Sequence, residues 1–207
     1  MSKRKMLSAI GKESNVKKNN KHWSLGLIES MNDPKHIYKE TDRVVVIKDK
    51  YPKAKIHYLM LPRDNIESIH KLNKKHISIL KEFGSILQDI IEENKDVTLK
   101  AGFHAVPSMQ RLHMHIISTD MVSPCLRTKI HWNSFTTDFF IPYEDVLRKI
   151  EQNGHIEVMS TDLHKSLLAT KLKCNKCSYV PRNMPQLRKH LAKHVQYGVL
   201  NTLWNFT

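Results

Sequence analysis

Three histidines that lie close together in the chain, His104, His113 and His115, are candidates for one catalytic pocket. Apolar residues alternate with the last two, so a strand here would bury one row of side chains and project both imidazoles from the other face. The turn expected at residues 107–108 would fold the preceding strand back antiparallel and place His104 opposite the pair. The pattern therefore predicts three imidazoles around one small volume.

Imidazole suits attack on phosphorus, because it titrates near neutrality and its neutral form carries a nucleophilic ring nitrogen. The phosphoramidate that forms keeps a good leaving group for the later attack of water, so one slow hydrolysis is divided into two faster steps. Neighbouring imidazoles can neutralise the non-bridging oxygens in the transition state. Spacing alone leaves two other interpretations open, namely ordinary histidines on a strand and a metal site.

A second cluster, towards the end of the sequence, has the spacing of a zinc site. Cys174 and Cys177 form a knuckle, and His190 and His194 lie one helical turn apart. Two thiolates and two imidazoles close a tetrahedron around zinc with no position left for catalysis, so we expect one structural Zn²⁺ per chain. Metal binding would fold a segment too small to bury a core of its own. A single finger is better suited to gripping a nucleic-acid backbone than to reading sequence.

Cysteine usage indicates a reducing compartment. Cys174 and Cys177 are close neighbours and Cys125 has no obvious partner, which does not fit a disulfide scaffold. Residues 1–10 lack an apolar stretch long enough for a signal peptide, and no run approaches the length of a membrane span. We therefore expect a soluble intracellular protein.

The chain is strongly basic, which favours a polyanionic partner. It has 34 Lys and Arg against 20 Asp and Glu, a net charge of +14 and a pI near 9.7. Residues 1–21 hold seven Lys or Arg and one Glu, and no acidic residue follows Asp162. Each neutralised phosphate releases counterions, so we expect DNA affinity to fall steeply with salt. For residues 1–21, a solvated segment or a nuclear import signal is an equally open interpretation.

Hydrophobic periodicity predicts an α+β fold. Four segments have strand character, and they are residues 43–47, 57–61, 97–103 and 112–118. From about residue 70 to residue 94, apolar residues recur at steps of three and four, which predicts an amphipathic helix docked on the sheet. A further helix is expected to begin at Pro142, and Asn153-Gly154 should end it as a C-terminal cap.

The histidine-rich run resembles a known motif. Residues 111–117 are similar to the histidine triad, in which three histidines alternate with apolar residues, except that Arg111 stands where the first histidine is usual. Further blocks resemble, in order and spacing, the aprataxin family of histidine triad proteins, and they are residues 22–27, 33–34, 44–54, 57–62, 104–109, 123–126 and 131–135. Together with the finger, the resemblance covers about residues 21–194.

This resemblance implies an architecture. A histidine triad domain, which is an antiparallel sheet with packed helices, is expected over residues 22–155 and begins with a helix that contacts a DNA end. A DNA-binding module with a C2H2-type zinc finger is expected over residues 156–207, behind a basic tail at residues 1–21. The forkhead-associated domain that some aprataxins carry in front is expected to be absent.

The resemblance also implies a reaction. The substrate would be a DNA 5′ end blocked by AMP through a pyrophosphate, at a nick, a double-strand end or an RNA–DNA junction, and AMP would be a product. His113 would carry the adenylate covalently, with no metal ion required in the chemical step. Removal of 3′-linked guanylate caps is a second expected activity. The protein is expected to be a monomer in the nucleus, with the cytoplasm as a further location.

Individual roles follow from the same match. The catalytic set comprises the nucleophile His113 with His115, His104, His57 and Ser108. Asp49 is expected to accept hydrogen bonds from ribose hydroxyls, while Ser108, His104 and His115 bind the phosphates. The expected DNA contacts are Trp23, Leu27, Arg63, Asp64, Ser123 and Lys129. For Trp23 and Leu27, burial in the core is an alternative that stays open.

The sequence leaves two other functions open. A general histidine triad nucleotide hydrolase would act on small phosphoramidates or dinucleoside polyphosphates, and its turnover would be indifferent to DNA. A non-catalytic zinc-finger DNA-binding protein would keep its function after His113→Ala. The role of Arg111 is open as well: it is compatible with a phosphate leaving group that needs little proton donation, and equally with a contact to DNA.

Overall fold

A six-stranded sheet forms the centre of the computed structural model, which describes the backbone of residues 26–204 and the side chains of residues 26–195. The strands are β1 (Ile37–Glu40), β2 (Val44–Lys48), β3 (His57–Pro62), β4 (Leu99–His104), β5 (Met114–Ser118) and β6 (Phe140–Pro142). They are ordered β1-β2-β3-β5-β4-β6, and every neighbouring pair is antiparallel. The expected antiparallel sheet is therefore confirmed, and all four expected strands are present within a few residues.

Two strands were not expected from the sequence. β1 and β6 are the edge strands, with four and three residues, and β1 carries an irregularity in register between Ile37 and Lys39. Such short segments give too few alternating positions to stand out as strands. They nevertheless complete the sheet, because β6 pairs with β4 at the end of the sheet where His104 lies.

Six α-helices accompany the sheet within the part of the chain that the structure describes. They are α1 (Gly26–Ser30), α2 (Ile77–Glu93), α3 (Lys129–Thr136), α4 (Tyr143–Asn153), α5 (Thr161–Ala169) and α6 (Met184–Trp204). Within residues 26–204, no helix is both long and apolar enough to cross a bilayer.

The two faces of the sheet carry different side chains, because alternate strand residues point to opposite sides. We call one side the helix face. It carries Val46, Met60 and Met114, which pack with the apolar rows of α2 and α4. The other side, the histidine face, carries His57 and His115, which share the parity of Leu59 and Ile117 on their strands.

The long helix on the helix face starts later than the sequence predicted. α2 begins at Ile77 and not near residue 70, after two short 3-10 turns at Ile69–Lys71 and Lys74–His76. Leu72 has extended backbone angles (φ −67°, ψ 142°), which interrupts any continuous helix. Asn73 then accepts a hydrogen bond from the Lys75 N–H and starts the chain winding again.

The expected end of α4 is confirmed. Gly154 lies in the left-handed region with φ 76°, and its N–H donates to the Ile150 carbonyl. A residue without a Cβ adopts this conformation at little cost, which is why glycine is common just beyond helix ends. Ile156, just beyond the cap, packs in the same core as α4.

A separate cluster of buried apolar residues joins the sheet to the C-terminal segment. Trp132 on α3 is buried in one cluster with Leu172, Leu187 and Leu191 from the finger region. Hydrogen bonds follow the same route, since the Asn133 side-chain amide donates to the carbonyls of Leu168 and Thr170, each at 2.8 Å. The finger region thus shares a hydrophobic core with the sheet.

One close approach in the sheet leads to a stability prediction. A Cβ added at Gly102 would lie 2.4 Å from the Ile141 carbonyl oxygen and 2.7 Å from the Phe140 ring. Gly102→Ala should therefore lower the free energy of unfolding by about 1–3 kcal/mol, because β6 must move away from β4. Gly26→Ala is the matched control, since its Cβ would meet only the Met109 methyl at 3.6 Å. Urea unfolding measures both variants, and equal stability would contradict this packing.

Candidate active site and zinc-binding cluster

Four histidines converge on the histidine face. His57 and His115 lie on the adjacent strands β3 and β5, His113 immediately precedes β5, and His104 ends β4. The β4–β5 register sets Gly102 opposite His115, which brings the His104 ring to 4.3 Å from the His115 ring, centroid to centroid. The antiparallel return that the sequence predicted is confirmed, and with it the gathering of imidazoles.

These histidines line an open cavity of about 940 Å³. Asp49 and Ser108 line it too, so the cavity includes every residue expected for catalysis or nucleotide binding. His57, His113 and His115 are each less than a tenth exposed. The site is therefore a desolvated cluster of imidazoles at the base of a large cleft.

The His113 ring is held in one tautomer. Its Nδ1 lies 2.8 Å from the Arg111 carbonyl oxygen, which can only accept, so Nδ1 carries the proton and donates it. Burial lowers the pKa of His113, an effect that the hydrogen bond to Arg111 and the nearby Asp49 oppose in part. The ring is thus neutral at physiological pH, and Nε2 keeps a lone pair. This is the arrangement a nucleophile needs.

A second chain of hydrogen bonds fixes two more rings. The Lys53 backbone N–H donates to His57 Nδ1 at 3.1 Å, so that nitrogen carries no proton. His57 Nε2 must then be the protonated nitrogen, and it donates to His115 Nδ1 at 3.0 Å. His115 is left with its proton on Nε2. Burial, the largest cause, lowers the pKa of His57 to about 4, which agrees with a neutral ring.

The same assignment settles the role of Asp49 beside His57. Asp49 Oδ2 lies 3.3 Å from His57 Nδ1, which would be an ion pair only if that nitrogen were protonated. Because Nδ1 already accepts from Lys53, the contact is not an ion pair. Both His57 nitrogens are thus engaged, so a metal ion held by Asp49, His57 and His115 would have to break a hydrogen bond. Oδ1 accepts from the Tyr51 N–H.

Two buried ring nitrogens of the cavity, His104 Nε2 and His115 Nε2, have no partner among the described residues. A buried polar atom without a hydrogen bond costs roughly 1–3 kcal/mol, so such atoms usually await a ligand or water. Burial is also the main cause that lowers the pKa of both rings well below the ordinary histidine value. The cluster therefore offers donors to oxygen atoms of a ligand in addition to one nucleophilic nitrogen.

The sequence did not reveal the far wall of the cavity. Phe135 on α3 presents its ring to His104 at 4.7 Å and to His115 at 5.2 Å, centroid to centroid. His164 and Leu168 on α5 also line the cavity. The signal for α5 was present, since the Ser160 side chain accepts from the Leu163 N–H as an N-cap and Asp162 follows in the first turn.

The expected DNA contacts fall at several places. Leu27 lines the cavity but is only 4% exposed, and it packs in the cluster of Val45 and Ile47, as the core alternative proposed. Trp23 lies outside the described residues. Arg63, Asp64 and Lys129 are exposed, and Arg63 pairs with Glu40. None of these three lines the cavity.

Ser123 is buried, with 6% of the residue exposed. The contact with DNA that the resemblance implied for it stays a prediction. The hydroxyl donates to the Pro52 carbonyl at 2.5 Å and accepts from the Cys125 N–H at 3.0 Å. Ser123 therefore connects two loops that border the cleft.

The four finger residues form a cluster that fits zinc. Their ligand atoms lie within 4.8 Å of one another, with Cys177 Sγ 3.2 Å and Cys174 Sγ 3.5 Å from the nearest imidazole nitrogens. Ligands of tetrahedral zinc are about 3.3–3.8 Å apart, given metal–ligand distances of about 2.0–2.3 Å. Asn175, between the cysteines, donates its amide to the Thr119 carbonyl just beyond β5. The knuckle is thus fixed to the sheet.

Two protein-family profiles match this chain. Residues 22–131 match the family described as scavenger mRNA decapping enzyme C-term binding. Residues 136–197 match the family described as C2HE / C2H2 / C2HC zinc-binding finger. The second match includes all four residues of the zinc-binding cluster, and it includes the α5 wall of the cavity.

Curated relatives are similar over most of the chain. Aprataxin of Ciona intestinalis is 45% identical over 83% of this chain and 46% of its own length, and aprataxin of Gallus gallus is 42% identical over 84% and 55%. The chain thus spans about half the length of these two animal relatives. The aprataxin-like protein of Schizosaccharomyces pombe is 31% identical over 80% of this chain and 77% of its own length.

Solved structures share the fold. A crystal structure of an aprataxin ortholog in complex with DNA has a TM-score of 0.70 and 27% identity, and the match covers 86% of this chain and 95% of that one. A structure of the ortholog with DNA and guanosine has a TM-score of 0.69 at 25% identity, over 86% and 98%. Each match thus covers most of this chain and nearly all of the solved one.

The neutral histidines lead to a prediction about acid stability. The folded-state pKa of His57, about 4, lies below its unfolded value of about 6.5, so the unfolded chain binds more protons between these pH values. The free energy of unfolding is therefore not reduced by His57 above pH 6.5, and it decreases as the pH falls below that value. For His57 alone, the decrease between pH 7 and pH 5 is about 2 kcal/mol. His57→Gln should flatten this slope in urea unfolding. The variant of an exposed histidine outside the cavity, His155→Gln, is the control, and equal slopes for both variants would contradict the assignment.

Proposed function

The chain belongs to the aprataxin family of histidine triad proteins, and on that premise we propose that it is a hydrolase that removes AMP from adenylated 5′ ends of DNA. The observation that carries the proposal is the His113 ring, whose Nδ1 donates to the Arg111 carbonyl and whose Nε2 is free to attack phosphorus. Relatives that are aprataxins, and an ortholog structure with DNA, supply the substrate class.

In the proposed first step, His113 Nε2 attacks the α-phosphorus of the 5′-linked AMP. A P–N bond forms, the P–O bond to the DNA 5′-phosphate breaks, and the electron pair leaves with that phosphate. Positive charge develops on the ring, where the Nδ1–H bond to the Arg111 carbonyl stabilises it. In the second step water attacks phosphorus, the P–N bond breaks, and AMP leaves while the water proton passes to solvent.

Neighbouring groups have matching tasks in this mechanism. His115 Nε2–H and His104 Nε2 are buried without partners, so they are suited to the non-bridging oxygens of the adenylate. Ser108 lies at the exposed rim of the cavity as a further polar contact. Asp49 is suited to accept from the ribose hydroxyls through Oδ2. The leaving group is a phosphate of low pKa, which explains how the reaction tolerates Arg111 in place of a histidine acid.

The DNA strand would lie along the basic surface next to the cavity. Arg63 and Lys129 are exposed and available to this surface, and no acidic residue follows Asp162. The ortholog structure with DNA and guanosine supports removal of 3′-linked guanylate as a second activity of the same site. We propose further that the protein acts in the nucleus, where a DNA substrate is found, and that it acts as a monomer.

Adenylated nicked duplex tests the proposal. Wild type should release AMP and form a covalent adenylate on His113, while His113→Ala and His113→Asn should lose at least about 1,000-fold in kcat, as expected for removal of a nucleophile. AMP release and trapping of labelled AMP on the protein measure both steps. His155→Ala, which removes an exposed histidine outside the cavity lining, is the matched control and should keep full activity.

The outcomes separate the competing functions. Activity that survives in both His113 variants would exclude His113 as the nucleophile. Equal turnover of nicked DNA and of free dinucleoside polyphosphate would favour a general nucleotide hydrolase. Tight DNA binding with no AMP release from any substrate would favour a non-catalytic zinc-finger protein.

We also propose one zinc ion per chain, held by Cys174, Cys177, His190 and His194. Cys177→Ser should abolish zinc binding and unfold the finger, since the metal supplies much of the folding free energy of such modules. Cys125→Ser is the control, because this free cysteine lies outside the cluster. Elemental analysis and proteolysis report the two effects, and a stable, undigested Cys177→Ser finger would contradict a structural metal.

A further inference from the structure

Arg111 has an unusual backbone conformation at a sensitive point. Its φ is 83°, in the left-handed region that an arginine rarely adopts and that costs roughly 1–3 kcal/mol. The carbonyl of this same residue accepts the His113 Nδ1–H. The strained residue therefore supplies the acceptor that fixes the tautomer of the nucleophile.

The Arg111 side chain supplies contacts that offset this strain. One guanidinium nitrogen donates to Asn65 Oδ1 at 3.0 Å, and the other donates to the carbonyls of Arg63 at 2.8 Å and Pro62 at 3.2 Å. All three acceptors lie at or just beyond the end of β3. The adjacent Leu112 N–H donates to the Ile66 carbonyl at 2.7 Å, so the connection continues along the backbone.

These contacts distinguish between the two roles that the sequence left open for Arg111, which are a position that needs no general acid and a contact to DNA. A guanidinium with three acceptors inside the protein has few donors left for DNA, and Arg111 Nε is itself buried. Arg111 is not among the residues that line the catalytic cavity; it borders a separate small pocket, together with His104 and His113. Arg111 is therefore not placed to touch the reacting phosphate, and its guanidinium is occupied by acceptors of the protein.

We propose that the Arg111 guanidinium is a positioning residue, which holds its own carbonyl towards His113 by clamping the segment from Pro62 to Asn65. The inference rests on the proposed function, because it assigns this clamp to the nucleophile of that reaction. An arginine suits the task because its planar fork can bond several acceptors at once, whereas a lysine is a single point charge.

The clamp also connects the nucleophile to a loop expected to meet DNA. Arg63 gives its carbonyl to Arg111, while its side chain bonds Glu40 and the Thr41 carbonyl. The position of His113 is thus tied to the backbone of residues 62–65. A displacement of this loop would be passed to the nucleophile through one side chain.

Arg111→Met tests the clamp, because methionine keeps the apolar stem and removes every hydrogen bond of the guanidinium. On adenylated nicked DNA we expect kcat to fall by about 100-fold, the usual effect of misplacing a reacting group, with KM changed less than about threefold. Arg111→Lys should recover only part of the loss. Arg148→Met is the matched control, since it removes an exposed arginine paired with Asp145 on α4.

A second readout does not depend on turnover. In ¹⁵N-labelled wild type, the ring shifts of His113 should report the Nδ1–H tautomer, and Arg111→Met should give a mixture of tautomers. Arg148→Met should keep the wild-type pattern. A merely structural role of Arg111 would lower stability without moving the His113 ring shifts.

A folded Arg111→Met protein with wild-type kcat and an unchanged His113 tautomer would overturn the inference. If this variant does not fold, Asn65→Ala decides, because it removes one exposed acceptor only: a fall in kcat with a shift in tautomer supports the clamp, and no change in either overturns it. If the wild type fails to release AMP, the proposed function is lost, but the ring shifts still decide whether Arg111 positions His113.

Discussion

Neutrality of the buried imidazoles is the constraint on which the site depends. Four rings share a volume from which water is largely excluded, and burial lowers the pKa of each one. A proton on any of them would leave a charge unsolvated and would raise the cost of charging the others. The hydrogen bonds from Lys53 to His57, from His57 to His115 and from His113 to Arg111 fix which ring nitrogen carries the proton in these three histidines. One set of contacts thus supports both folding and reactivity.

The cavity is built by the sheet together with α1, α3, α5 and the loops between them. Phe135 on α3 presents its ring to the histidines, and Lys100 donates to the Phe135 carbonyl from the sheet below. Burial lowers the pKa of Lys100 to about 8, and its ammonium lies 4.9 Å from the Phe140 ring. Asn133, on the same helix, holds the end of α5. The wall that faces the imidazoles is therefore tied to the sheet and to the finger region at once.

Much of this arrangement could be predicted from sequence, and the limits have physical causes. Alternation around His113 and His115 predicted the strand and its reactive face, because side chains in a strand alternate strictly. The spacing of the two cysteines and two histidines predicted the zinc-binding cluster. The role of Arg111 could not be predicted, because it depends on a positive φ and on acceptors almost fifty positions away in the chain. The buried hydroxyl of Ser123 was missed for the same reason, since its partner Pro52 lies on another loop.

The shared core of sheet and finger has a consequence for dissecting the molecule. A fragment ending near residue 155 would keep all four catalytic imidazoles and yet lose the partners of Trp132, because Leu172, Leu187 and Leu191 come from beyond that point. The exposed indole and its neighbours would form a large apolar surface patch, and such patches promote aggregation. The Phe135 ring would lose the packing that supports it on α3, and bulk solvent would reach imidazoles that are now buried. A fragment meant to keep the cavity intact therefore has to retain the finger region.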